Sequence, residues 1–170
     1  MLVLLPAAPE RKSFWRPGAA FTIVSGDAEI GRIDLSGSPR RDGEAKIRCR
    51  ERRFECRIHV TGGARLAHVP SQWVMSAGEV ALHAAVWESS QTFLVEGEDQ
   101  LRLRRRGFGA ALAIERAAER EQVGEIRWVK RRLVPPEPSR IELEASIELS
   151  EILEVLLLWI AVQDEFRSSG

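Results

Sequence analysis

Arginine is the residue type in this chain with the most chemistry to offer. Of the 25 basic residues, 22 are arginine; the lysines are Lys12, Lys46 and Lys130. Arg102, Arg104 and Arg106 stand at every second position, so on an extended strand all three share one face. Lys130, Arg131 and Arg132 form a second basic cluster just after Ile126–Trp128. Brought together in space, the six cations make a patch that holds a phosphate by charge-assisted, often bidentate, hydrogen bonds. Beside an anionic bilayer each such group contributes ~1 kcal/mol, so several must act together. The competing reading is an arginine-rich outer wall, solvated and balanced by glutamates, which is the common fate of surface charge.

The other reactive side chains form no constellation. His59, His68 and His83 are scattered without metal-ligand spacing, and no Cys-x-x-Cys occurs. Ser71, Ser89 and Ser90 lack a nucleophile-elbow context, and Arg106-Gly107-Phe108-Gly109 reads as a turn rather than a phosphate cradle. Glu142 and Glu144 share an exposed strand face. No cofactor or metal is expected, and an enzyme ranks last among the functional readings. The two cysteines, Cys49 and Cys56, are too few for a disulfide framework.

Charge sets a further limit. The formal net charge is zero, which argues against nucleic-acid binding by whole-protein attraction. The charge is nevertheless uneven. Residues 100–132 carry ten Arg or Lys against four Glu, whereas residues 137–165 carry eight acidic residues and only Arg140. No secretory-type leader is expected from Leu2-Val3-Leu4-Leu5, which is short, has no basic residue before it and is broken by Pro6 and Pro9. Residues 1–13 read as an N-terminal tail, residues 14–166 as one domain and residues 167–170 as a C-terminal tail. The expected compartment is the cytoplasm, with peripheral membrane attachment if the basic patch is used.

The elements that must carry these residues are mostly strands. Phe21–Ser25 is a β-rich run ending at Gly26-Asp27, and Glu29–Asp34 follows it. Arg140–Ile147 alternates, with Ile141, Leu143, Ala145 and Ile147 on one face. Leu101 and Leu103 alternate with Arg102, Arg104 and Arg106. Period-two alternation of this kind marks a half-buried strand. Ala45–Val60 reads as a hairpin turning at Arg52-Arg53, which sets Cys49 opposite Cys56 and Ile47 opposite Ile58. The thiols are then either a redox pair or metal half-site, or two small reduced core residues; the second is favoured because free cysteine packs as a small hydrophobe. Further strands are expected near Val80–Glu88, Gln91–Glu96, Ala110–Ala117 and Glu125–Leu133. The total is about ten or eleven strands at spacings of roughly 8–15 residues, which points to a sandwich or barrel. Gly62–Gly78, with Gly62-Gly63 and Pro70, reads as an inserted loop. The stretch Gly26–Ile33 weakly echoes Glu119–Ile126, which alone does not establish a repeat.

One segment is different. Ile152–Val162 has ten apolar residues in eleven, too few for a membrane span, which needs about 20. From Val155 to Val162 the run is apolar all round, so as a helix it must be surrounded on every side. Ser150 is a candidate N-cap, with Glu151 and Glu154 suited to the positive end of the dipole. A helix over about 149–164 inside a closed sheet meets this demand, and the fold class is therefore mainly β, a β-barrel enclosing a hydrophobic C-terminal α-helix.

The order of these segments resembles the tubby C-terminal-like superfamily, which includes LURP-one-related proteins and phospholipid scramblases. The resemblance rests on Thr92-Phe93-Leu94-Val95, Leu101-Arg102-Leu103-Arg104-Arg105, Ala111–Arg116, Val123-Gly124-Glu125-Ile126 and the terminal apolar run Leu153–Val162. It covers about Phe21 to Val162. It implies a twelve-stranded barrel around a hydrophobic C-terminal helix and, from tubby proteins, recognition of phosphoinositide headgroups by basic residues on the barrel surface. No acidic calcium motif or cysteine cluster of the scramblase kind is present. The resulting expectation is a non-enzymatic binding module for anionic phospholipid headgroups through Arg102, Arg104, Arg106, Lys130, Arg131 and Arg132. The alternative is a protein–protein interaction or scaffold domain with no small ligand.

Overall fold

The computed structural model describes residues 1–7, 19–36, 44–60, 71–78, 80–89, 92–96, 100–106, 111–129 and 140–168. They form twelve strands and one helix: β1 (Leu2–Ala7), β2 (Ala20–Ser25), β3 (Ala28–Ser36), β4 (Glu44–Cys49), β5 (Arg52–Val60), β6 (Ser71–Ala77), β7 (Val80–Ser89), β8 (Thr92–Glu96), β9 (Leu101–Arg106), β10 (Ala111–Arg116), β11 (Gln122–Val129), β12 (Arg140–Ala145) and α1 (Glu151–Ser168). The mainly β expectation with one C-terminal helix holds.

Every strand pairs antiparallel with its neighbours in sequence, and β1 pairs with β2 on one side and β12 on the other. The order of pairing thus returns to its start. The strand alternation sorts side chains to two faces. Ile33, Ile47, Phe54, Leu101, Leu103, Ile126, Ile141 and Leu143 are buried, while Lys46, Arg48, Arg53, Glu55, Arg104 and Arg127 between them are exposed.

The inner faces meet α1. Every residue from Val155 to Gln163 is fully buried. Each large aliphatic side chain so buried contributes ~1.5–3 kcal/mol relative to exposure, which explains why an all-round apolar helix is stable here. Trp159 packs edge-on against Trp73 of β6, with ring centroids 6.2 Å apart and planes at 62°. The helix starts where Ser150 caps it: the Leu153 N–H donates to Ser150 Oγ at 3.3 Å, and the Glu154 N–H to the Ser150 carbonyl at 2.9 Å.

Several expectations need correction. Leu2–Ala7 is not a tail but β1, the strand that joins β2 to β12, and Leu2, Val3 and Leu4 are buried. Pro6 sits near the strand's end. The stretch read as an inserted loop contains β6, whose Trp73 and Met75 are buried in the core. Its apolar positions are few, and Ser71 and Gln72 disguise the alternation. The hairpin of β4 and β5 turns at Arg50-Glu51, not Arg52-Arg53. Ile47 faces Phe54, Ala45 faces Cys56 and Cys49 faces Arg52, so the thiols stand apart along the ladder, each separately buried. Arg50 takes the left-handed conformation the turn requires (φ 49°). Its N–H donates to the Ile30 carbonyl of β3 at 2.6 Å, which holds the turn where it is.

The weak echo has a structural counterpart. In the β2–β3 and β10–β11 hairpins a bulge follows the turn, skipping Ile30 in one and Val123 in the other. Each skipped residue's carbonyl accepts from the third strand's end, from the Arg50 N–H and the Ser146 N–H respectively. The following glycines, Gly31 and Gly124, then lie so close to the next strand that a Cβ would strike backbone: at Gly31 the Arg48 oxygen and Cys49 Cα, at Gly124 the Glu144 oxygen and Ala145 Cα. A third hairpin, β6–β7, also carries a bulge, skipping Leu82, with His83 in the place of the glycine. A bulge adds local twist, which helps a sheet curl.

Candidate functional site

The strand β9 displays the basic residues as its alternation requires. Leu101 and Leu103 are buried; Arg104 and Arg106 are exposed and Arg102 half-buried. Their cross-strand neighbours differ. Arg102 stands opposite Glu115, a carboxylate only 8% exposed. Arg104 and Arg106 stand opposite Ala113 and Ala111, which carry no charge to pair with them. Beyond Ala111 on β11 comes Arg127, which Glu125 holds by a 2.7 Å hydrogen bond from Nε and a 2.6 Å contact from Nη2. That hydrogen bond raises the Arg127 pKa further above its already high value. On β12, Arg140 pairs with Glu142 at 2.8 Å. The wall from β9 to β12 therefore grades from two exposed arginines to neutralised pairs. Lys130, Arg131 and Arg132 lie outside the described residues; β11, which leads to them, ends at Val129, at the same end of the ladder as Arg106.

A second polar cluster, which the sequence reading did not single out, sits where α1 enters. A cleft of about 500 Å³ opens there between Met1, Arg50, Ile147, Glu148, Ser150, Glu151 and Glu154. Arg50 Nη1 lies 3.2 Å from Glu151 Oε2, and Glu151 Oε1 is buried with no hydrogen-bond partner. Burial raises the Glu154 carboxyl pKa; Arg50 and the N-terminal ammonium oppose the shift and Glu151 adds to it. Behind them the Cys49 thiol is pushed up to about 11, first by burial and then by a hydrogen bond toward the Glu151 carboxylate. Burial likewise pushes the Cys56 thiol strongly upward. Neither thiol is a nucleophile in this state, since reactivity follows the thiolate. The signals for this cluster were in the sequence, as the i, i+3 pair Glu151 and Glu154. Their nearness to Arg50 is set by the hairpin register and was not legible there.

Among the described residues no three His, Cys, Asp or Glu side chains are grouped to hold a metal ion, and no helix is long and apolar enough to cross a membrane. Ser90 and His68 lie outside the described residues; Ser71, Ser89, His59 and His83 lie on strands β6, β7, β5 and β7. Comparison with protein-family models, with curated proteins and with solved structures gave no match.

Proposed function

We propose that this chain is a non-enzymatic binding module that docks on anionic phospholipid headgroups through the outer face of β9 and its neighbours. In this reading the fold is a tubby-like barrel filled by its own C-terminal helix, so binding happens on the wall and not inside. The observation that carries it is the exposed pair Arg104 and Arg106, each facing an alanine on β10 and neither tied to a described partner. Exposed guanidinium forks suit phosphate oxygens. At ~1 kcal/mol per cation the pair alone gives weak attachment, and Lys130, Arg131 and Arg132 supply the remaining charge in this reading. The half-buried, Glu115-facing Arg102 contributes less than its exposed neighbours.

Co-sedimentation of the full chain with vesicles tests this. Binding to vesicles containing anionic lipid, loss of that binding at high salt and its absence on neutral vesicles support the proposal. Arg104→Ser with Arg106→Ser should weaken binding about tenfold or more. Equal binding to neutral vesicles, or full binding by the double variant, contradicts it.

A further inference from the structure

Each strand runs antiparallel to the next in sequence, so successive connections leave alternately from the two ends of the ladder. One end holds residues 26–27, 50–51, 78–79, 97–100, 117–121 and 146–150, the last leading into α1. These connections carry eight Asp or Glu against two Arg, and no aromatic residue. Asp27, Glu51, Glu119, Glu121 and Glu148 among them are exposed, and Glu151 and Glu154 line the cleft at the same end.

The other end holds residues 8–19, 37–43, 61–70, 90–91, 107–110 and 130–139. Here the balance reverses: nine Arg or Lys stand against three Asp or Glu, with Phe14, Trp15 and Phe108 among them. Most of these residues lie outside the described ones. The described strand ends that they join, such as Arg106, Val129 and Arg140, fix the end from which they leave. The helix runs from the acidic end toward the basic one, and adding Asp164, Glu165 and Arg167 from its last turns still leaves ten basic residues against five acidic. A net count includes both signs, so the excess holds whichever side chains pair with one another.

A chain of zero net charge therefore separates its charge along the strands. A strand of six residues spans ~20 Å, well beyond the ~8 Å over which salt screens a charge at physiological ionic strength. An anionic surface brought to the basic end meets that end's charge, and the acidic end is too distant to cancel it. Apolar residues accompany the cations: Leu133 and Val134 directly follow Lys130-Arg131-Arg132, and Phe14-Trp15 lies between Lys12 and Arg16. Cations beside aromatic and aliphatic side chains suit the boundary between headgroups and acyl chains, where charge and apolar area act together.

We propose, resting on the lipid reading, that the chain docks end-on. The end at which Arg106, Val129 and Arg140 stand faces the anionic bilayer, the acidic turns face away, and the β9 arginines meet headgroups at the rim of the docked end.

The hairpin of β4 and β5 tests this orientation, because it has one exposed residue at each end, Glu44 and Glu51. In the order of pairing β4 lies six strands from β10 in either direction, so a bilayer lying flat against the β9–β11 wall reaches neither residue. Glu44→Cys and Glu51→Cys are each labelled with a fluorophore in the full chain; Cys49 and Cys56 are buried and do not compete. Vesicles containing anionic lipid and a headgroup nitroxide should quench the label at 44 and not the label at 51. Glu119→Gln with Glu121→Gln, at the distal end, should leave vesicle affinity within about twofold at ~0.15 M salt. Vesicle binding that quenches neither label would leave the wall reading standing and overturn the end-on orientation. Quenching at 51, or a large gain in affinity from the Glu119 and Glu121 variant, would overturn it too. No binding to anionic vesicles, or salt-sensitive binding to a nucleic-acid duplex in its place, would overturn the lipid reading and the orientation together.

Discussion

Glu154 shows how a single residue at the helix entrance reports on the fold. It lies one turn into α1 beside Arg50, Glu151 and the N-terminal ammonium, and burial sets the direction of its shift: the folded pKa lies above its ordinary value of 4.5. A group of this kind contributes stability that is fully present below its unfolded pKa and lost as pH rises through its folded pKa. Glu154→Gln should therefore flatten the pH dependence of stability just above the ordinary carboxyl range and raise stability at neutral pH, measured as Tm from pH 4 to 7. A variant whose Tm fell with pH as steeply as the wild type would show that Glu154 is not the titrating group. The opposite case is Gln163, which unlike Glu154 is fully buried and whose amide nitrogen and oxygen both lack partners among the described residues; it interrupts the apolar surface of the helix and does not titrate.

At the scale of elements, the bulged hairpins decide how strands approach one another. Gly31 and Gly124 each follow a bulge and sit against the backbone of the next strand. Backbone cannot move aside as a side-chain tip can. Gly124→Ala, whose Cβ would lie 2.6 Å from the Glu144 oxygen, should cost ~1–3 kcal/mol or more, and Gly31→Ala at least as much. Urea denaturation measures both; a loss below about 0.5 kcal/mol, the usual range for an innocuous surface change, would contradict the close approach. The sequence made the alternating strands readable wherever apolar residues recur every second position, as in Arg140–Ile147 and Leu101–Arg106. It did not make β1 readable, because four successive apolar residues and Pro6 carry no period. It did not make the β4–β5 register readable either. Shifting the turn from Arg52-Arg53 to Arg50-Glu51 moves the register by an even number of positions, so the same side chains stay inside and the apolar pattern does not distinguish the two.

For the molecule as a whole, one relation was legible from the start: an apolar stretch too short to span a bilayer and too uniform to lie on a surface must be enclosed. In the structure α1 is fully buried from Val155 to Gln163 against the apolar faces of the strands. In the proposed reading, binding therefore takes place on the outer wall, at the exposed arginines of β9. The most direct measurement of this account is amide hydrogen exchange of residues 155–162 in the full chain, with and without anionic vesicles. If the helix is locked inside and the wall does the binding, these amides exchange only through global unfolding, at the slowest rates in the protein, and vesicles do not expose them by any other route. Exchange through a smaller opening, or a helix that vesicles release from the strands, would contradict it.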